Sequence, residues 1–161
     1  GVYTIVVDGD DMDEPVADAV RGILDGHIVL SRRLAQRYHY PAVDVLKSVS
    51  RLVGSVTGSV TQKVMGFVRK VMAVYEENED MITIGAYVKG SNPAVDEAIA
   101  KREAVEEFLQ QEVAEKAPIA DTIKRLSAIA GIAVPPQELT AYAAGSSRAA
   151  PEEPAAREDY A

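Results

Sequence analysis

Val2-Tyr3-Thr4-Ile5-Val6-Val7 opens the chain, Pro15-Val16-Ala17-Asp18-Ala19-Val20-Arg21-Gly22-Ile23-Leu24 follows an acidic loop, and His27-Ile28-Val29-Leu30-Ser31 follows Asp25-Gly26. The first run is apolar and β-branched nearly throughout, the pattern of a strand buried on both faces of a mostly parallel sheet. Pro15 suits a first helical position, and Val16, Ala19, Val20, Ile23 and Leu24 then recur at helical spacing until Asp25-Gly26 ends the helix. His27–Ser31 reads as a second short strand. Residues 2–31 therefore predict a strand–helix–strand unit of an α/β fold, its strands parallel neighbours through a right-handed crossover. The first strand begins at once after Gly1, with no initiator Met and no leading turn, so the chain is expected to start inside a domain, as a fragment.

Beyond Tyr40-Pro41 the pattern changes. The stretch Asp44–Arg51 leads into Gly54-Ser55-Val56-Thr57-Gly58-Ser59, which reads as a loop, and helix-period sequence follows. One helix uses Val64, Met65, Val68, Val71, Met72 and Tyr75 and is expected to end in the acidic run Glu76-Glu77-Asn78-Glu79-Asp80. A second opens at Ser91-Asn92-Pro93, a cap with proline in the first turn, and carries Val95, Ile99, Val105, Phe108 and Leu109. A third carries Ile119, Ile123, Leu126 and Ile129. From Pro135 onward Ala, Pro, Glu, Gly and Ser dominate, a composition expected to stay disordered because it has too little apolar surface to offset the entropy of ordering. The expected organisation is a strand-bearing part over 1–60, a helical part over 61–134 and a disordered tail over 135–161.

Composition narrows the function classes. The 161 residues are 47% hydrophobic, within the range of one modest core. With 25 acidic against 17 basic side chains the formal charge is −8, which repels a phosphate backbone, so no nucleic-acid partner is expected. No apolar run approaches the roughly 20 residues a membrane-spanning helix needs, and no signal-peptide pattern opens the chain, which gives a cytosolic expectation. There is no cysteine, and His27 and His39 are too few imidazoles for a metal cluster.

Several stretches invite a chemical reading and fall short of it. Asp8, Asp10 and Asp13 are hard oxygen ligands, yet a calcium loop of the EF-hand type wants a ligand at Met12, glycine at Asp13 and a distant glutamate. A solvated loop favouring the positive end of the next helix accounts for them. The Gly54–Ser59 stretch lacks the four-residue spacing and the lysine of a phosphate-binding loop. His27 has no nucleophile beside it and reads as a hydrogen-bonded residue within an apolar strand. The Glu76–Asp80 run reads as a solvated helix end, although acids there oppose the helix dipole. The Met65, Met72 and Tyr75 stripe reads as core. Taken alone, Arg51 is a surface or ion-paired arginine and Tyr40 a half-buried turn aromatic.

The run Gly9-Asp10-Asp11-Met12-Asp13-Glu14-Pro15-Val16-Ala17-Asp18-Ala19-Val20-Arg21, with Ile23-Leu24-Asp25-Gly26-His27-Ile28-Val29-Leu30-Ser31-Arg32, resembles the flagellum-specific ATPases of type III protein export. His39-Tyr40-Pro41-Ala42-Val43-Asp44 with Ser48-Val49-Ser50-Arg51 is similar to a segment shared with the alpha and beta subunits of the F-type ATP synthase. Asn78-Glu79-Asp80-Met81-Ile82-Thr83-Ile84-Gly85-Ala86-Tyr87 and Gly90-Ser91-Asn92-Pro93 resemble the flagellar branch more than the virulence-secretion branch. The resemblance covers about residues 1–115, weakens from about Ala114, and has no counterpart beyond Gln137. It also departs at Gly54–Ser59.

The resemblance implies the C-terminal portion of a RecA-like α/β nucleotide-binding core over 1–60, followed by an α-helical C-terminal domain over 61–134. It implies an ATP-hydrolysing subunit, using ATP with Mg, that drives export of flagellar proteins as a homo-hexamer in the cytoplasm, peripheral to the inner-membrane export apparatus. By the same resemblance Arg51 is an arginine finger reaching the neighbouring subunit's nucleotide, and Tyr40 stacks on adenine. Asp10, Asp11 and Asp13 match a loop that meets a stalk-like export component. Export chaperones, substrates and the export gate are the other implied partners. The phosphate-binding loop, the Mg-holding aspartate and the catalytic glutamate would lie N-terminal to Gly1 in a complete family member, so the fragment is expected to be inactive alone. A non-catalytic helical interaction module and a rotary synthase fragment are the alternative readings.

Overall fold

A computed structural model describes residues 2–7 and 15–145. Residues 2–7 form no strand: Val2 is 100% and Val6 88% exposed, and among the described residues no segment pairs with them. An extended run becomes a strand only when a neighbour takes up its backbone N–H and C=O groups, so its apolar character alone was insufficient. Helix α1, Pro15–Ile23, and strand β1, Gly26–Leu30, form where the patterning places them. The partner of β1 is not a parallel neighbour but the following strand β2, Val43–Ser50, which pairs with it antiparallel. The chain is turned back by α2, Arg32–Gln36, whose N-cap Ser31 accepts from Leu34 N at 3.4 Å. After α2, Tyr38 and His39 donate backbone N–H groups to Ala35 O and Leu34 O, both at 3.1 Å.

The rest is helical. A short turn α3, Val53–Val56, occupies part of the stretch expected as a loop, and α4, Ser59–Thr83, begins at Ser59. α4 passes through the acidic run instead of ending there. Arg33 faces Glu76 and Glu79 at 3.8 Å, and Arg37 reaches Glu79 at 3.6 Å, so guanidinium groups at α2 offset the carboxylates that oppose the helix dipole. These pairs are solvent-exposed and each contributes little on its own. α5, Pro93–Leu109, starts at the expected cap, with the Asn92 side chain accepting from Ala94 N at 3.0 Å. Between α4 and α5, Gly90 holds φ +90, and its N–H donates to Asp96 Oδ2 at 2.9 Å. α6, Ile119–Ala130, follows.

One face of α4 forms the core with α5 and α6: Val64 and Val68 meet Val105, Ile123 and Leu126, closed by Val134. Met65 and Met72 pack against this cluster, and Tyr75 lies beneath Arg102, whose guanidinium is 4.4 Å from the ring centroid. Ile99 and Ile119, placed on apolar faces by spacing, are 38% and 56% exposed.

The segment from Pro135 departs most from expectation. Residues Pro136–Gly145 form helix α7, which packs on α6 and whose Leu139 and Tyr142 meet the core; residues 146–161 lie outside the described residues. Polar contacts hold it as well. Gly58 is the N-cap of α4 and has no side chain to offer the orphan N–H groups of the first turn. Glu138 supplies it instead, its carboxylate accepting from Val60 N at 3.1 Å, Thr61 N at 2.9 Å and Thr61 Oγ1 at 2.7 Å. Gly58 N donates to Tyr142 Oη at 2.8 Å. A Cβ at residue 58 would stand 2.1 Å from Glu138 Cδ, so a larger residue there would have to push the capping carboxylate aside. The Thr61 hydroxyl and the two backbone N–H groups favour the charged form of Glu138 and lower its pKa, against a smaller opposing effect of desolvation.

Because the Glu138 pKa is depressed on folding, its contribution is complete above the ordinary glutamate value of about 4.3 and disappears as pH falls through the lowered folded value. Thermal denaturation of wild type and Glu138→Ala should therefore differ in Tm at neutral pH and converge in acid; a pH-independent difference would show that the carboxylate charge is not what caps α4. In urea, Leu126→Ala should cost about 2–5 kcal/mol, whereas Ile119→Ala, at an exposed site on the same helix, should cost under about 0.5 kcal/mol.

Candidate functional site

Strand β2 carries the residues singled out from sequence, Tyr40 just before it and Arg51 just after. Its pairing with β1 is irregular. His27 faces Val49 and Val29 faces Asp44, so Val45, Leu46, Lys47 and Ser48 bulge opposite Ile28 alone. Side chains of the strand itself shape this bulge. Ser48 Oγ donates to Asp44 O at 2.5 Å and accepts from Val29 N at 3.0 Å, and Asp44 Oδ1 accepts from Lys47 N at 3.0 Å. Asp44 and Ser48, which stand inside the two quoted motifs, thus act here as backbone surrogates. Where the pairing resumes, Gly26 lies so close to β2 that a Cβ would stand 2.6 Å from Val49 O.

The bulge also receives a donor from outside the sheet. Arg69, on α4, donates through Nη1 to Val45 O at 2.5 Å and Ser48 O at 3.4 Å, and through Nη2 to Leu46 O at 3.1 Å. His27 Nε2 lies 3.2 Å from Lys47 O and donates in the tautomer protonated at that nitrogen. Sequence reading assigned no part to Arg69. Its signal was its place four residues after Met65 and three before Met72, which puts an arginine on the apolar side of a helix.

Arg51 is exposed, with its backbone N–H donating to Asp25 O at 2.8 Å. Its guanidinium donates to Gly22 O at 3.4 Å and Arg21 O at 3.3 Å, carbonyls of the last turn of α1, where the helix dipole favours a cation. These are long bonds at an exposed site and leave the group able to turn toward another partner. Tyr40 is 51% exposed, and its peptide bond to Pro41 is cis. Its carbonyl accepts from Gln111 N at 2.9 Å, which ties the turn to the segment after α5. With Tyr38, it lines one end of an open groove of about 960 Å³ whose other wall is the C-terminal half of α5, including Arg102, Glu103 and Glu107.

The structure does not bring Tyr40 and Arg51 together. They flank β2, whose ends Val43 and Ser50 pair with Leu30 and Gly26, four residues apart in β1, so at about 3.3 Å per residue the two ends of the strand stand about 13 Å apart. Asp10, Asp11 and Asp13 lie outside the described residues. Among the described residues no group of three or more acidic or imidazole side chains could hold a metal ion, and no helix is long and apolar enough to cross a membrane.

Comparison with known proteins accounts for both halves. Residues 1–50 match the ATP synthase alpha/beta family nucleotide-binding domain, and residues 58–128 match the T3SS EscN ATPase C-terminal domain. A flagellum-specific ATP synthase of Treponema pallidum is 53% identical over 132 residues, which cover 82% of this chain and 30% of that protein. The assembled ATPase EscN from the enteropathogenic E. coli type III secretion system superposes with a TM-score of 0.76 at 37% identity, over 80% of this chain and 31% of that one. EscN in complex with its central stalk EscO superposes with a TM-score of 0.69 at 38% identity, over 72% and 29%. The chain thus spans about 30% of the length of the Treponema relative it matches. From a nucleotide-binding-domain match that contains Tyr40 and ends next to Arg51, and a helical match built on α4, α5 and α6, the chain belongs to the family of flagellar and type III secretion ATPases, relatives of the ATP synthase alpha and beta subunits.

Proposed function

We propose that this chain contributes the finger-bearing strand and the C-terminal helical domain of an ATPase subunit that energises export of flagellar proteins through a type III apparatus. The observation that carries this reading is the placement of Tyr40 and Arg51 at opposite ends of β2. In a ring of identical subunits, one end of the strand can serve the subunit's own nucleotide while the other reaches the neighbour's. The assembled state of EscN supports such an arrangement, with a homo-hexamer as the form proposed here. Residues 1–60 would complete a RecA-like core with strands supplied by the remainder of the subunit, to which the exposed run 2–7 would pair; residues 61–134 would form the helical domain.

Within that assembly each residue has a defined task. Tyr40 offers a flat, half-exposed aromatic face on which an adenine ring stacks. Arg51 presents a planar, permanently charged guanidinium that stabilises negative charge developing on the transferred γ-phosphoryl group. ATP brings Mg, whose protein ligands, like the phosphate-binding loop and the catalytic glutamate, belong to a part of the subunit beyond this chain, so the chain alone would not turn over. The complex of EscN with EscO supports a central stalk as partner, met by Asp10, Asp11 and Asp13. Export chaperones and substrates would engage the helical domain, and the export gate would hold the assembly at the cytoplasmic face of the inner membrane.

In the full-length protein, Arg51→Ala should lower kcat for ATP hydrolysis by about 10³-fold or more while leaving nucleotide binding intact. Hydrolysis at the wild-type rate would remove the finger reading. Tyr40→Ala should weaken ATP binding by about tenfold, read as Kd by fluorescence titration, with little change in kcat at saturating ATP.

A further inference from the structure

The β2 bulge is the place where the helical half of the chain takes hold of the strand that ends in Arg51. Val45, Leu46, Lys47 and Ser48 fall outside the regular pairing, yet every one of their carbonyls has a side-chain partner: three are held by Arg69 and one faces His27. Arg69 is part-buried in these contacts, so removing its donors would leave three carbonyls without their partner. The guanidinium reaches the three carbonyls through two nitrogens of one rigid plane, whereas a lysine ammonium at the same place would offer its three donors from a single rotating nitrogen. Arg51 stands three residues beyond Ser48. Among the described residues its own side chain is held by long bonds to Arg21 O and Gly22 O, so the course of the strand as it leaves the bulge sets where the guanidinium starts from.

We infer that Arg69 is a positioning residue for the arginine finger: by gripping the bulge from α4, it fixes the direction in which β2 delivers Arg51 to the neighbouring subunit's nucleotide. This inference rests on the reading of Arg51 as a finger. α4 shares its buried face with α5 and α6, so through Arg69 the strand is bonded to the helical core. A misplacement of a catalytic group by about 1 Å can cost about 10²-fold in rate, so a contact that touches no substrate can still govern turnover.

The test uses the full-length, assembled protein and four variants: Arg69→Lys, Arg69→Ala, Arg51→Ala and the double variant Arg51→Ala/Arg69→Ala. Arg69→Ala should lower kcat by about 10- to 100-fold with KM for ATP nearly unchanged, and Arg69→Lys should recover part of that loss while keeping the wild-type Tm. In the Arg51→Ala background, adding Arg69→Ala should lower Tm as it does in wild type but should not lower kcat further, because the group it positions is gone. Wild-type kcat in Arg69→Ala would overturn the inference. So would an equal fractional loss of kcat with and without Arg51, since that is the mark of a general structural effect. If Arg69→Ala does not fold, Arg69→Lys decides alone: with wild-type Tm, a reduced kcat supports positioning and a wild-type kcat overturns it. Wild-type hydrolysis in Arg51→Ala would instead sink the finger reading itself, an outcome separate from failure of the Arg69 inference.

Discussion

Helix α4 is the constraint on which the rest of this structure depends. At 25 residues it is about 37 Å long, and each region along it has a different partner. Its first turn is capped by Glu138 from α7, its buried face carries the core with α5 and α6, its Arg69 grips β2, and Glu76 and Glu79 near its end meet Arg33 and Arg37 around α2. An isolated helix of mixed composition is marginal in water, so α4 is stabilised by these partners as much as it organises them. The strand-bearing part and the helical part are therefore not simply joined by residues 51–58; they are bonded through a shared helix.

The polar contacts explain residue choices that hydrophobicity leaves arbitrary. Gly58 at the start of α4 has no capping oxygen, and the missing oxygen comes from a glutamate that needs the vacant Cβ position to approach. Asp44 and Ser48 replace backbone partners where β2 leaves its regular pairing. The same logic makes sense of the acidic run within α4. Carboxylates near a helix C-terminus are unfavourable alone and become acceptable where a second helix brings guanidinium groups across from them.

For a member of an ATPase family, the division of labour is physically economical. Stacking on a base needs an aromatic face, and charge stabilisation at a phosphoryl group needs a fixed cation. On the proposed reading of Tyr40 and Arg51, setting them at the two ends of one strand ties both to the same backbone, and the bulge within that strand is where α4 takes hold of it.

The sequence by itself determined the local elements. Apolar spacing and caps located α1, β1, α5 and α6, the Asn92-Pro93 start among them, because a helix or strand face is encoded within one or two turns of chain. Motif resemblance identified Tyr40 and Arg51 as candidates and the family to which the chain belongs. What only the tertiary structure decided is every feature whose partner is distant in sequence. The strand β2 and the unpaired state of the run 2–7 are not legible in local pattern, because strand formation depends on which neighbour supplies the ladder. α7 was expected to be disordered because its composition is poor in large apolar groups, whereas its order comes partly from Glu138, 77 residues from Thr61. The role of Arg69 is not legible in the sequence because it exists only where a strand 24 residues earlier in the chain turns its carbonyls toward α4. Short-range pattern encodes which way a segment wants to fold; long-range hydrogen bonding, which depends on the relative placement of finished elements, decides what that segment holds.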